Sequence, residues 1–339
     1  MPEAGSEPAA LAPSPRDAGR LAGLTAGVRD FGRRRRVLIT VVGSLATAAV
    51  LVLVLDGRRD EFAAALSSAA AWVLIVTVLM QVVGLLARSE AWHQTIEAAG
   101  GTVERRVLYR ASSAQVLGSV LNTQLGVAAR IAALRRSSPA VSPQVPTLIA
   151  AEFPILAVEG LLAALASFTL IAPLGLPWWV PIIILLVIAA ASAGLRHLAL
   201  RKARELWKGL AVLRSLRDGS GVIAFMLVAV FMQIFRNWLL LHAVGVDASF
   251  FDAIAVLIGV AALSQLPVGP SVGAAAAVLI LGSDGVAAAA AAGLLMTVTG
   301  TVGGMCFLGW AGADRLWSVS RRARRPRSDE VATSAGDRK

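Results

Sequence analysis

Apolar residues in this chain come in long unbroken runs rather than at helical or strand spacing. Six runs, Val37–Leu55, Ala69–Ala87, Pro146–Ile171, Pro177–Gly194, Gly221–Ala243 and Val286–Ala311, are each long enough to cross about 30 Å of hydrocarbon at a helical rise of about 1.5 Å per residue. Two further stretches are mixed. Val107–Ala129 carries Arg110, Ser112, Ser113, Gln115, Asn122, Thr123 and Gln124, which is too polar for a lipid-facing span. Asp252–Gly282 is apolar but is interrupted by Gln265-Leu266-Pro267-Val268-Gly269-Pro270-Ser271-Val272-Gly273. Its prolines remove backbone donors and its glycines loosen the helix. Inside lipid, backbone groups freed in this way must be satisfied by protein or by a water-lined cavity. Broken segments of this kind mark binding sites in transporters.

Basic residues decide how the two mixed stretches run. If both crossed the membrane, the Lys/Arg-rich Arg196–Arg217 loop would lie outside, against the rule that places such residues in the cytoplasm. If both enter and leave on one side, Arg33–Arg36, Arg88, Arg105, Arg106, Arg130–Arg136, Arg196–Arg217 and Arg315–Arg327 all fall inside. Arg58 and Arg59 then stay outside and Arg236 lies in the membrane. The expected fold is therefore an all-α polytopic integral membrane protein with about six transmembrane helices and two re-entrant hairpins. A surface helix over Val107–Ala129 keeps the same sidedness. Opposed hairpins are what an inverted repeat supplies, although the halves show no convincing self-similarity.

Composition agrees. The chain is 57% hydrophobic with a mean hydropathy of +0.72, which excludes a water-soluble globular domain. The net charge of +11 sits beside hydrophobic spans, where topology and anionic lipid account for it better than nucleic acid does. Arg196–Arg217 has apolar residues at Ala203, Leu206, Trp207, Leu210 and Leu213 with bases between, the pattern of an amphipathic helix on the cytoplasmic surface. Trp72, Trp178, Trp179, Trp310 and Trp317 fall near span ends, as interfacial anchors do. Gly293, Gly300 and Gly304 share one face of the last span and suit close helix contact. Residues 1–32 read as a disordered cytoplasmic tail, 33–318 as the membrane domain and 319–339 as a basic disordered tail.

Charges inside spans are costly and each requires an account. Glu152 and Glu159 lie seven residues apart on one face of Pro146–Ile171. Arg236, beside Asn237, is about two-thirds along its own span. A Glu159–Arg236 pair would neutralise both groups, either as a buried pin of helix register or as a polar site where Arg236 meets a lipid phosphate. Arg130 is either a positive-inside residue or a second phosphate contact. The single cysteine, Cys306, and the scattered His93, His197 and His242 offer no metal-ligand spacing, and no cofactor is implied. No nucleophile elbow, Gly-rich phosphate loop or Asp-rich motif is present, so no enzymatic activity is expected.

Three stretches carry a resemblance. They are Asn122-Thr123-Gln124-Leu125-Gly126-Val127-Ala128-Ala129-Arg130, the acidic helix Glu152–Glu159, and Leu266-Pro267-Val268-Gly269-Pro270-Ser271-Val272-Gly273. In order and character they resemble the transmembrane, flippase-like region of lysylphosphatidylglycerol synthases, as a stand-alone member without the synthetase domain. The likeness spans roughly residues 35–318. It implies a multi-pass protein of the bacterial cell (inner) membrane, with both termini cytoplasmic. It also implies a function of moving or binding a phospholipid or polyprenyl-linked lipid between leaflets. Arg130, Glu152, Glu159, Arg236, Asn237, Pro267, Gly269, Pro270, Ser271 and Gly273 are the expected lipid-binding residues. The partners would be membrane lipids, anionic phospholipid or polyprenyl-phosphate lipid, and a membrane enzyme; nucleic acid is not among them. Two departures stand out. No Glu follows Gly126, and Ala274–Ala277 occupies the place of the family's acidic residue after the second break. They favour a second reading, a non-transporting accessory subunit of a lipid-modifying enzyme or glycosyltransferase.

The charge pattern yields a direct test. Single cysteines placed in Arg135–Ser142 and in Leu198–Leu213, after removal of Cys306, are expected to react with an impermeant thiol reagent only from the cytoplasmic side. Labelling of the second set from outside would overturn the two-hairpin arrangement.

Overall fold

A computed structural model of the protein describes residues 55–119, 123–137, 143–201, 216–264, 272–282 and 285–323, with isolated positions between 42 and 53. Most of the first expected span, the centre of the expected amphipathic helix and the break at Pro267–Ser271 lie outside the described residues. Within them every regular element is a helix. In chain order these are α1 (Arg59–Ser68), α2 (Ala71–Ala98), α3 (Arg105–Ser119), α4 (Thr123–Ser137), α5 (Val145–Ala150), α6 (Glu152–Ala166), α7 (Ile171–Leu174), α8 (Trp179–Arg201), α9 (Leu216–Ala243), α10 (Phe250–Leu263), α11 (Val272–Leu281) and α12 (Val286–Ala323).

Four stretches among these are long and apolar enough to cross a membrane: Ala71–Ala98, Val145–Leu174, Gly219–Ala243 and Val286–Ser318. They coincide with four of the six expected spans. A fifth, Trp179–Gly194, is helical but shorter. The surface is that of a membrane-embedded protein. Trp72, Ile75, Leu79, Val83 and Leu86 form an exposed apolar stripe along α2, and Leu294, Val298, Val302 and Met305 form another along α12. Water does not tolerate apolar patches of that extent on a soluble monomer, whereas lipid does. All five expected tryptophan anchors are well exposed.

Local sequence explains the interruptions. Val145–Leu174 is not one smooth helix. Pro154 has no N–H to give the carbonyl of Ala150 and its ring crowds that turn, so the helix is divided at Ala151, just before Glu152. Pro173 does the same to Thr169, inside the 3-10 stretch Ser167–Leu170. At the start of α10, Ser249 and Asp252 form a reciprocal capping box, with the Asp252 carboxylate accepting from the Ser249 N–H at 2.8 Å.

The two mixed stretches are each a pair of short apposed helices. In the first, Gly118 of α3 meets α4 so closely that a Cβ there would come within 2.5 Å of the Leu125 carbonyl. In the second, Gly259 of α10 lies against Ala276 and Ile280 of α11. At 10 to 15 residues each of these helices is about 15 to 22 Å long, too short to cross the hydrocarbon alone. Both pairs pack on α12, at different levels. Gly304 faces Val116 of α3, while Gly293 is in backbone contact with Gly273 of α11. Glycine permits both approaches, and Gly300 lies against Arg236 of α9 between them. The expected role of these three glycines in close helix contact therefore holds.

Two apolar cores result. One contains Leu240, Leu241, Val256, Ala277 and Ala292, at one end of α2 and α9. The other contains Trp92, Ile96, Leu108, Leu134, Ile155 and Met226, at the opposite end. Polar side chains of α2 and α9 lie between the cores. The tight α11–α12 crossing predicts that Gly293→Ala lowers the unfolding midpoint in detergent, since overpacking typically costs about 1–3 kcal/mol. Gly309→Ala, where no atom lies within 4 Å of the added Cβ, is expected to leave the midpoint unchanged or slightly raised. Equal effects of the two substitutions would contradict this packing.

Candidate functional site

The buried polar groups form two constellations. The first is built by α2, α3, α4 and α6. The division of the helix at Ala151 sets Glu152 in the first turn of α6, where the helix dipole favours a carboxylate. Glu159 follows two turns later on the same face. Arg130 of α4 reaches across to pair with Glu152 and donates to Gln115 Oε1 at 3.1 Å. Its guanidinium stacks over the Trp92 ring, 4.2 Å from the centroid, a favourable cation–π geometry. Arg130 is only 1% exposed.

Arg88, one helical turn before Trp92 on α2, makes a two-point contact with Glu159, at 2.7 and 3.0 Å. This pair is partly exposed, at 31% and 26% of the side chains. Arg88 and Glu159 lie near enough to act electrostatically on Arg130, so the four charges form one alternating, neutral cluster. Its hydrogen bonding is incomplete. Arg130 Nε, Arg88 Nε, Glu152 Oε1, Trp92 Nε1 and Ser112 Oγ are buried without a hydrogen-bond partner among the described residues. Buried polar groups in native proteins are met by protein, water or an ion in the great majority of cases.

The second constellation lies between the apolar cores. Gln81 of α2 accepts on Oε1 from Arg236 Nη1 and, at 2.9 Å, from Gln233 Nε2. Arg236 and Asn237 are buried. Arg236 has no carboxylate partner among the described residues.

These positions correct one expectation. Glu159 pairs with Arg88 and not with Arg236. The physical reason is the length of α2. Its apolar run ends at Ala87, but the helix continues to Ala98, so Arg88 belongs to a packed helix rather than a loop. The fold thus brings Arg130, Glu152 and Glu159 together, and holds Arg236 and Asn237 apart from them. Gly273 is buried in α11 against Gly293 and Thr297. Pro267, Gly269, Pro270 and Ser271 lie outside the described residues. Sequence reasoning missed Arg88, Trp92, Gln115, Gln81 and Gln233. For the last two a signal existed, since an uncharged amide within an apolar span also needs a partner.

Further ion pairs hold the α3–α4 pair in place. Glu90 of α2 accepts from Tyr109 at 2.6 Å and pairs with Arg105 at 3.0 Å. Asp314 of α12 accepts from Arg110 Nε at 2.6 Å. His93 Nε2 lies 3.0 Å from the Val103 carbonyl, and the His242 ring lies against that of Trp238, tilted by 48°. The chain matches no family model, no curated protein and no solved structure.

Glu152→Gln is expected to destabilise the protein strongly, because breaking a buried pair typically costs about 3–5 kcal/mol. Glu159→Gln should cost less, since solvent screens its partner. In double-mutant cycles read by unfolding in detergent, Arg130 should couple to Glu152, and Glu159 to Arg88. Strict additivity within the first pair, or coupling of Glu159 to Arg236, would contradict the arrangement.

Proposed function

We propose that this protein moves a lipid with an anionic headgroup between the leaflets of the bacterial cell membrane. The observation that carries the reading is a set of buried charges and amides inside an otherwise apolar, membrane-embedded helical protein, flanked by two pairs of helices too short to cross. Intramembrane ionisable groups are costly and are characteristic of substrate pathways. Helices broken within the membrane are characteristic of transporter binding sites. In this reading the α3–α4 and α10–α11 pairs are re-entrant hairpins entering from the cytoplasm and from outside. The chain makes six crossings and its termini are cytoplasmic, as the basic residues require. The partly exposed Arg88–Glu159 pair is the charge that a headgroup passes, and the buried Arg130–Glu152 pair beside it holds the helices that carry it.

One observation favours the accessory reading. Ala274, Ala276 and Ala277 are buried in apolar packing, so α11 offers no carboxylate where the resembling family carries one. Exchange of fluorescent phosphatidylglycerol between leaflets of liposomes holding the purified protein separates the two. Wild-type protein is expected to accelerate exchange. Pro267→Ala, Gly269→Ala and Pro270→Ala together, which favour a continuous helix by several kcal/mol, about 3 for each Pro and about 1 for Gly, should reach the membrane and lose exchange. No exchange above empty liposomes for wild-type protein, with anionic and polyprenyl lipids alike, would leave the accessory role in front.

A further inference from the structure

We infer that Arg236 is the binding site for the phosphodiester of an anionic phospholipid headgroup, a site separate from the Arg130 cluster. The inference rests on the lipid-handling reading and names the substrate class. Among the described residues Arg88, Arg110, Arg130 and Arg236 are arginines held within the helix packing, and they are not equivalent: Arg110 meets the Asp314 carboxylate. Arg88 and Arg130 each meet a carboxylate, Glu159 and Glu152. Arg236 is 8% exposed and among the described residues its hydrogen bond goes to the neutral amide of Gln81, which already accepts from Gln233. Among the described residues its Nε has no partner. An amide oxygen satisfies one N–H and leaves the charge unbalanced. In a low-dielectric interior an unbalanced charge is costly unless a counterion is bound.

The chemistry of the site selects the counterion. Guanidinium is a planar fork that takes two oxygens of a phosphate or carboxylate side by side. A single positive charge is balanced by a singly charged phosphodiester. A polyprenyl phosphomonoester or diphosphate would bring a surplus negative charge into the same apolar surroundings. Gly300 of α12 supports the assignment. A Cβ at that position would lie 3.2 Å from Arg236 Nη1, so glycine there gives the guanidinium the room that a larger residue would take from it.

The test is binding to purified full-length protein, measured as retained lipid by native mass spectrometry and as the shift in unfolding midpoint. The probes are phosphatidylglycerol, undecaprenyl phosphate and inorganic phosphate. Wild-type protein is expected to prefer phosphatidylglycerol over both others. Arg236→Gln should bind it at least tenfold more weakly, with Arg236→Lys in between. A folded Arg236→Gln protein that binds phosphatidylglycerol like wild type would overturn the inference and leave Arg236 as a pin of helix register. An equal or stronger response to undecaprenyl phosphate or to inorganic phosphate would overturn the phospholipid assignment. Should Arg236→Gln fail to fold, Gly300→Ala decides, because it keeps the charge and crowds the guanidinium. Weakened binding supports the site, and unchanged binding overturns it. Arg236-dependent binding in a protein that shows no leaflet exchange would retain the site and reject transport. Exchange that proceeds with Arg236-independent binding would do the reverse.

Discussion

A guanidinium cannot shed its charge at any ordinary pH, so burying one commits the surrounding structure to satisfying it. That constraint organises much of this protein. Arg130 of α4 sits where α2, α3 and α6 meet, and draws a contact from each of the three: the Trp92 ring, the Gln115 amide and the Glu152 carboxylate. The division of the helix at Ala151, which Pro154 causes, puts Glu152 in place. The close approach of Gly118 and Gly126 brings α4 near enough to α3 for Gln115 to reach Arg130. Backbone irregularity and glycine thus act in the service of one buried charge.

The same constraint distinguishes the two polar constellations. Around Arg130 and Arg88, opposite charges alternate and the net charge is zero. Around Arg236 the partners among the described residues are amides, and these leave a positive charge unbalanced. A neutral cluster tolerates burial and can hold helices in register. A cluster with surplus charge is poised for an anion. Two arginines of similar appearance in the sequence therefore have different chemical meanings, set by whether a carboxylate lies within reach.

Placement between two apolar cores gives the Arg236 level its character. Each core is closed by small residues at helix contacts, Gly273 against Gly293 in one and the alanines around Trp92 in the other. Lipid supplies no hydrophobic force to drive helices together, so association relies on close packing and on polar bonds. The glycines of α12 supply the first and Gln81, Gln233 and Arg236 the second.

The chain by itself determined the membrane-embedded, helical character of the protein, because long apolar runs admit no other fold in which every backbone group is satisfied. The interruptions at Ala151 and Ser167–Leu170 fall inside a run read as one span, Pro146–Ile171, although Pro154 and Pro173 lack the donor that a continuous helix needs. Glu152, Glu159 and Arg236 stood out from the cost of charge in an apolar run, whereas Arg130 read as either a positive-inside residue or a phosphate contact. Their partners were not legible. Glu159 and Arg236 looked like a pair because each was the unmatched charge of its own span. Only the packing showed that α2 continues past its apolar run and carries Arg88 to Glu159. Pairing is a property of distance between elements remote in sequence. Helix length, crossing position and rotation about the axis set that distance, and hydropathy records none of the three.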